Sequence, residues 1–138
     1  MKIQGIAHAA FNVTDMQKSL DYYCGVLGFT DAFEMERDGK PWIRYLRIAQ
    51  GQFLELFYNR KDDTVGTAYN HLCLRVDDVK AVADELRPLG LLTVDVKRGN
   101  DHNLQCWSVD PDGNRIEFMQ ICPESVSYTH LRAHETSQ

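Results

Sequence analysis

No apolar run in this chain approaches the roughly 18 residues that a membrane-spanning helix needs. The opening MKIQGIAHAAFNV enters a strand pattern directly and lacks the apolar stretch of a signal peptide. Positive charge is also scarce. Fifteen Lys and Arg face 20 Asp and Glu, for a formal charge of −5. That balance argues against nucleic acid as a partner, because phosphate recognition requires clustered cations. The four cysteines, Cys24, Cys73, Cys106 and Cys122, include no C-x-x-C pair. They read as free thiols of a reducing, cytoplasmic compartment. What remains is a chain of 138 residues, 43% apolar, long enough for one compact domain with a core of its own.

Ser125 to Gln138 is polar and has no apolar periodicity. Its stretch VSYTHLRAHET, at Val126 to Thr136, resembles an in-frame translation of a transposase-type sequencing adapter. The domain is expected to span residues 1–124, with 125–138 as a disordered tail. His130 and His134, although spaced H-x3-H, are expected to take no part in a metal site.

The rest of the chain states one pattern twice. His8 is followed 47 residues later by Glu55, and His71 is followed 46 residues later by Glu117. GIAHAAFNVTD reads against AYNHLCLRVDD, with Val five and Asp seven residues after each His. Gly28 and Gly90 then occupy matching places, and FLELF reads against RIEFM.

Each copy reads as β-α-β-β-β. In module one, residues 1–60, the spacing predicts a strand over Ile3–Val13 and a helix over Met16–Leu27. Asn12 to Asp15 supplies cap chemistry, and Gly28 stops the helix. Strands follow at Thr30–Glu36, Trp42–Ala49 and Gln52–Tyr58, separated by turns at Asp38–Pro41 and Gln50-Gly51. In module two, residues 66–122, a strand at His71–Val76 leads to a helix from Val79 to about Leu89, capped by Asp77-Asp78 and ended by Gly90. Strands at Leu92–Val96, Leu104–Val109 and Asn114–Ile121 complete it, with Asp110-Pro111-Asp112-Gly113 as a turn. Asn59 to Ala68 links the modules. The predicted class is α+β: two tandem βαβββ modules forming a curved mixed sheet, with helices outside, around a metal-binding trough.

Strand parity sorts the side chains. His8, Ala10 and Asn12 share one face, as do His71, Cys73 and Arg75. Glu55 shares its face with Phe53 and Phe57, and Glu117 shares its own with Arg115 and Met119. The opposite faces are the more apolar ones and suit a helix. A single His on a strand is ordinarily a hydrogen-bonded core residue. A Glu between Leu54 and Leu56, or between Ile116 and Phe118, is harder to accommodate. An unpaired buried carboxylate is unfavourable by several kcal/mol or becomes neutral. A divalent cation supplies the missing charge. Two imidazoles and two carboxylates, from His8, Glu55, His71 and Glu117, suit Zn, Ni, Co, Mn or Fe.

Candidate substrate contacts on the same faces are Asn12, Asn59, Arg75, Phe53, Phe57, Trp107 and Met119, with Trp42 and Tyr45 as further lining. His102 is a candidate acid or base in the polar loop after Lys97 and Arg98.

Paired βαβββ modules carrying His, Glu, His, Glu at these positions resemble the vicinal oxygen chelate superfamily over residues 1 to about 122. LELFYN, GTAYNHLCLRV and DPDGNRIEF are most similar to glyoxalase I (lactoylglutathione lyase). The resemblance implies a metal-dependent lyase or isomerase that chelates neighbouring oxygens of a small substrate and moves a proton beside a carbonyl through an enediolate. It assigns His8, Glu55, His71 and Glu117 to one divalent metal, Glu117 to the proton as base, Glu55 as its counterpart, and Asn59 to a glutathione contact. Bacterial glyoxalase I carries Arg four residues after the first His, where this chain has Asn12. Glutathione therefore does not follow automatically. The same site could serve an epimerase or a β-eliminating lyase acting on a keto sugar or acyl-CoA. Fe(II) extradiol dioxygenases of this fold use two His and one Glu, and its antibiotic-binding members generally lack the ligand set. Members usually form homodimers, with the site inside one chain or shared between two.

Overall fold

The computed structural model describes residues 2, 6–58 and 69–123. The linker between the modules and the tail lie outside them. The chain divides into two compact units, Met1–Thr67 and Ala68–Gln138, and each carries the expected strand and helix order.

In the first unit β1 is His8–Asn12, α1 is Met16–Leu20, and the strands β2, β3 and β4 are Thr30–Arg37, Lys40–Ala49 and Gln52–Phe57. In the second, β5 is Leu72–Arg75, α2 is Val79–Leu86, and β6, β7 and β8 are Val94–Arg98, Leu104–Val109 and Arg115–Gln120. The expected mixed sheet is realised as two four-stranded sheets, ordered β1-β4-β3-β2 and β5-β8-β7-β6. In each, the first strand lies parallel to the last, and the remaining pairs are antiparallel. Parallel neighbours need a long crossover, here the helix and the hairpin between them.

The helices start as the sequence predicts. Asp15 accepts a hydrogen bond from the Lys18 backbone N–H at 3.1 Å, and Asp78 accepts one from Ala81 at 3.2 Å. Both are N-caps that satisfy a donor the first turn leaves free. Their later courses differ from a plain α-helix. After Leu20 the chain widens into a π-helix over Asp21–Val26, with Leu27 N–H donating to the Tyr22 carbonyl at 3.0 Å. The wider turn lets the adjacent Tyr22 and Tyr23 both be buried, where Tyr23 stacks on Phe29. The second helix tightens to a 3-10 turn over Arg87–Leu89 and ends on Gly90 in the left-handed region, φ 71°.

Two further boundaries are corrected. The hairpin between β2 and β3 is a two-residue turn, Asp38-Gly39, with positive φ at both positions. That geometry matches strand twist and places Lys40 and Pro41 inside β3. The strand expected at Leu92–Val96 instead runs Val94–Arg98. The Leu91 N–H still closes the helix end by donating to the Leu86 carbonyl, so the strand starts later, and Lys97 and Arg98 belong to it rather than to a loop. Edge strand β2 is exposed along its length. Its Asp31, Glu34, Glu36 and Arg37 and its two register shifts discourage pairing by other chains.

In the second unit, Val79, Ala83 and Leu86 form the buried stripe of α2 and face Cys106, Ile116 and Phe118, also buried. The thiol of Cys106 reaches the Val79 carbonyl. Parity therefore turns Trp107 and Glu117 to the other side of this sheet. In the first unit, Leu46, Leu54 and Leu56 are fully buried, and Glu55 alternates with the last two. Among the described residues no helix is long and apolar enough to cross a membrane.

Leu86→Ala should lower stability by about 2–5 kcal/mol through cavity formation, and Asp78→Ala by about 1 kcal/mol through loss of a cap. Urea unfolding followed by circular dichroism measures both. Equal losses for the two variants would contradict the packing described.

Candidate metal-binding pairs

Each sheet brings its own His and Glu together. In the first, parallel register sets Ala10 beside Glu55 and His8 beside Phe53, while β3 sets Tyr45 on the other flank of Glu55. The His8 imidazole Nε2 lies 2.7 Å from Glu55 Oε2. Glu55 is only 5% exposed, whereas the His8 side chain is 49% exposed. Burial and then the Glu55 charge hold the Tyr45 phenol above its ordinary range.

The second sheet repeats the frame. Cys73 lies beside Glu117 in parallel register, and Trp107 flanks it from β7. His71, just ahead of β5, places Nε2 3.1 Å from Glu117 Oε1. Burial, followed by the Glu117 and Asp101 charges, pushes the Cys73 thiol up to about 12.

His71 has an orienting network that sequence reading did not find. Its Nδ1 lies 2.6 Å from Asn70 Oδ1. The same oxygen accepts from the Arg115 guanidinium at 3.0 Å, and Arg115 also reaches the Asn70 carbonyl. A guanidinium can only donate, so the atom it meets is the amide oxygen, and His71 Nδ1 must carry the proton. Trp107 packs edge-on against the His71 ring, with centroids 4.9 Å apart, and Arg115 lies 5.5 Å from the centre of the Trp107 ring. The signal available in sequence was slight: an Asn preceding His71 and an Arg two residues before Glu117, on the same face.

This tautomer makes a cation test possible. Neutral His71 would aim a lone pair from Nε2 at a carboxylate oxygen, which is repulsive unless a proton or a metal ion lies between them. Nitrogen and oxygen ligands sit about 2.1 Å from ions such as Zn, so two at right angles are about 3 Å apart. The separations of 2.7 and 3.1 Å fit that requirement. The donor set, imidazole with carboxylate, suits a borderline divalent ion. Among the described residues no group of three or more His, Cys, Asp or Glu could hold a metal ion. The arrangement seen is therefore the pair, once in each unit.

The other candidates divide. Asn12 and Arg75 occupy equivalent places on the site faces, beside Phe57 and Met119 respectively, and both are exposed. Phe53, Phe57, Trp107 and Met119 are half-buried on those faces. Trp42 meets Phe57 edge-on, and Met119 receives the Asn103 amide at its sulfur. His102 sits in an exposed turn with left-handed backbone, φ 68°, its carbonyl held by Arg98; the structure does not join it to the Glu117 pair. Asn59 lies outside the described residues. The cysteines are free thiols.

The family model for the Glyoxalase/Bleomycin resistance protein/Dioxygenase superfamily matches residues 5–118. A probable lactoylglutathione lyase from Vibrio cholerae is 31% identical over 125 residues, covering 83% of this chain and 89% of its own. The lactoylglutathione lyase of Haemophilus influenzae is also 31% identical, covering 83% and 91%. Among solved structures, the antibiotic-binding protein TnmS3 from Streptomyces sp. CB03234 superposes with a TM-score of 0.73 at 24% identity, covering 88% of this chain and 99% of that one. A repeated βαβββ frame, a family match spanning most of the chain and relatives above 30% identity converge on one statement: the chain belongs to the Glyoxalase/Bleomycin resistance protein/Dioxygenase superfamily, the vicinal oxygen chelate proteins.

Proposed function

We propose that His8, Glu55, His71 and Glu117 together hold one divalent metal ion, and that the protein is a lyase or isomerase of the lactoylglutathione lyase type. The observation that carries this reading is a buried carboxylate facing an imidazole nitrogen, made twice at equivalent registers. The names of the relatives from Vibrio cholerae and Haemophilus influenzae support the reaction class. The substrate proposed is a small molecule with neighbouring oxygens. When bound, the ion would act as a Lewis acid on those oxygens and favour loss of the adjacent proton. Glu117 takes that proton as general base and returns it to the neighbouring carbon. Glu55 stays as ligand. Asn70 and Arg115 hold His71 with Nε2 toward the ion. Phe53, Phe57, Trp107 and Met119 limit water around the reacting carbon. We also propose a cytoplasmic homodimer.

Arg75 is the cation at the position where the first module has Asn12, and it would meet a substrate anion. An epimerase or β-eliminating lyase on a keto sugar or acyl-CoA would use the same residues and is the second reading, favoured by the uncharged Asn12.

Three outcomes are expected. Glu117→Gln should keep most of the Zn(II) or Ni(II) yet lose turnover by about 10²–10⁴-fold, measured on methylglyoxal–glutathione hemithioacetal, hydroxyketones, keto sugars and acyl-CoA epimers. Normal turnover would remove Glu117 as the base. Asn70→Ala should weaken metal binding by about 10–100-fold in a chelator competition, while Asn12→Ala leaves it unchanged. Mixing His8→Ala with His71→Ala subunits should restore activity if the pairs meet across two copies; persistent inactivity would place both pairs of one site in one chain.

A further inference from the structure

The segment that leads into β5 is tied to one residue of β8. The Tyr69 hydroxyl donates to the Arg115 carbonyl at 2.8 Å. The Arg115 guanidinium in turn donates to both oxygens of Asn70, the backbone carbonyl at 3.3 Å and Oδ1 at 3.0 Å. Asn70 Oδ1 also meets His71 Nδ1 at 2.6 Å. Register explains why one residue reaches so much of this segment. Leu72 lies beside Ile116 in the parallel pair, so one step back along each strand sets His71 level with Arg115.

The His71 ring is closed in from the side as well. Trp107 packs edge-on against it. That indole is itself fixed, with its N–H 2.6 Å from Gln105 Oε1 and the Arg115 guanidinium 5.5 Å from its ring centre. The backbone ahead of His71, its ring tautomer and its ring plane are therefore set by neighbours other than Glu117.

The first unit lacks these means at the matching places. Tyr69, Asn70 and Arg115 correspond to Ile6, Ala7 and Phe53, none of which has a polar side-chain atom. Ile6 is 84% exposed. Among the described residues the one polar contact of the His8 ring is Glu55, and His8 is the more exposed of the two imidazoles.

We propose that Arg115 and Tyr69 are positioning residues that seat His71 in advance, which makes the second unit's pair the half of the metal site that takes up a divalent cation first. The proposal rests on the metal-centred reading above and adds an order to it. An imidazole already held in its ligating pose loses little freedom when an ion arrives, whereas a freer one has to be immobilised at that moment. His71 with Glu117 offers an ion two ligands at once, and His8 with Glu55 completes the set afterwards.

Two measurements test this, one of them without metal. In metal-free protein with 15N-labelled histidine rings, assigned with His8→Ala and His71→Ala, the His71 Nδ1 proton should exchange slowly with water and the His8 ring protons fast. Arg115→Met, which keeps much of the side chain's length but none of its donors, should remove that protection, and Tyr69→Phe should reduce it. Equal protection of the two rings in the parent, or His71 protection that survives Arg115→Met, would overturn the proposal. The second measurement divides the site. His8→Ala with Glu55→Ala leaves the second pair, and His71→Ala with Glu117→Ala leaves the first; removing both partners leaves no buried charge unpaired. In a chelator competition, with protein lacking all four residues as the blank, the second pair should bind Zn(II) about tenfold more tightly than the first. Adding Arg115→Met to the second-pair protein should abolish that advantage. Equal affinities, or a tighter first pair, would overturn the order of capture and leave the four-ligand reading standing. A parent protein that binds no Zn(II) would defeat both. If a pair-deletion protein fails to fold, as its melting curve would show, ring protection in the parent and in Arg115→Met decides the proposal.

Discussion

A carboxylate held on a strand between two fully buried neighbours has to be met by positive charge, and the structure is organised around meeting it twice. Leu54 and Leu56 are inaccessible to solvent, and Glu55 between them is nearly so. Ile116 and Phe118, on either side of Glu117 in sequence, are buried as well. Leaving one such charge unpaired is unfavourable by about 3–5 kcal/mol, against the roughly 5–15 kcal/mol that holds a domain of this size folded. Two unpaired carboxylates would consume most of that margin. An imidazole nitrogen faces each of them, at 2.7 and 3.1 Å.

Local chemistry legible in the chain explains how the pairs arise. The His and Glu of a pair are more than 45 residues apart, yet parity and repetition alone put them on common faces, and the capping Asp15 and Asp78 were readable from their positions. Lateral neighbours were not. Which residue of β3 flanks Glu55 depends on strand register, and a one-residue slip would have offered Arg44 or Leu46 instead of Tyr45. The Arg115–Asn70–His71 chain depends on two side chains meeting across strands, which no spacing reports. The π-helical turn answers the bulk of two adjacent tyrosines rather than any local signal. The late start of β6 reflects an exposed edge strand, whose side chains have little alternation to display.

The same register logic separates what the fold supplies from what the substrate would require. Both units present the same frame of strand, helix and three strands, so the frame alone says nothing about specificity. Differences at matching places say more. Asn12 stands where the second unit has Arg75, and Ile43 beside Phe57 has Gln105 beside Met119 as its counterpart.

Duplication within one chain has a consequence for how such a centre can evolve. In a dimer of identical single modules, every substitution appears on both sides of the rotation axis. A Tyr placed beside one carboxylate would then stand beside both. Joining two copies of the βαβββ unit in one polypeptide lifts that restriction. Trp107 can stand where the first copy has Tyr45, and Cys73 where it has Ala10, with the backbone frame retained. Broken symmetry of this kind gives two equivalent carboxylates different lateral neighbours on one backbone frame, a difference that a strictly twofold arrangement could not encode.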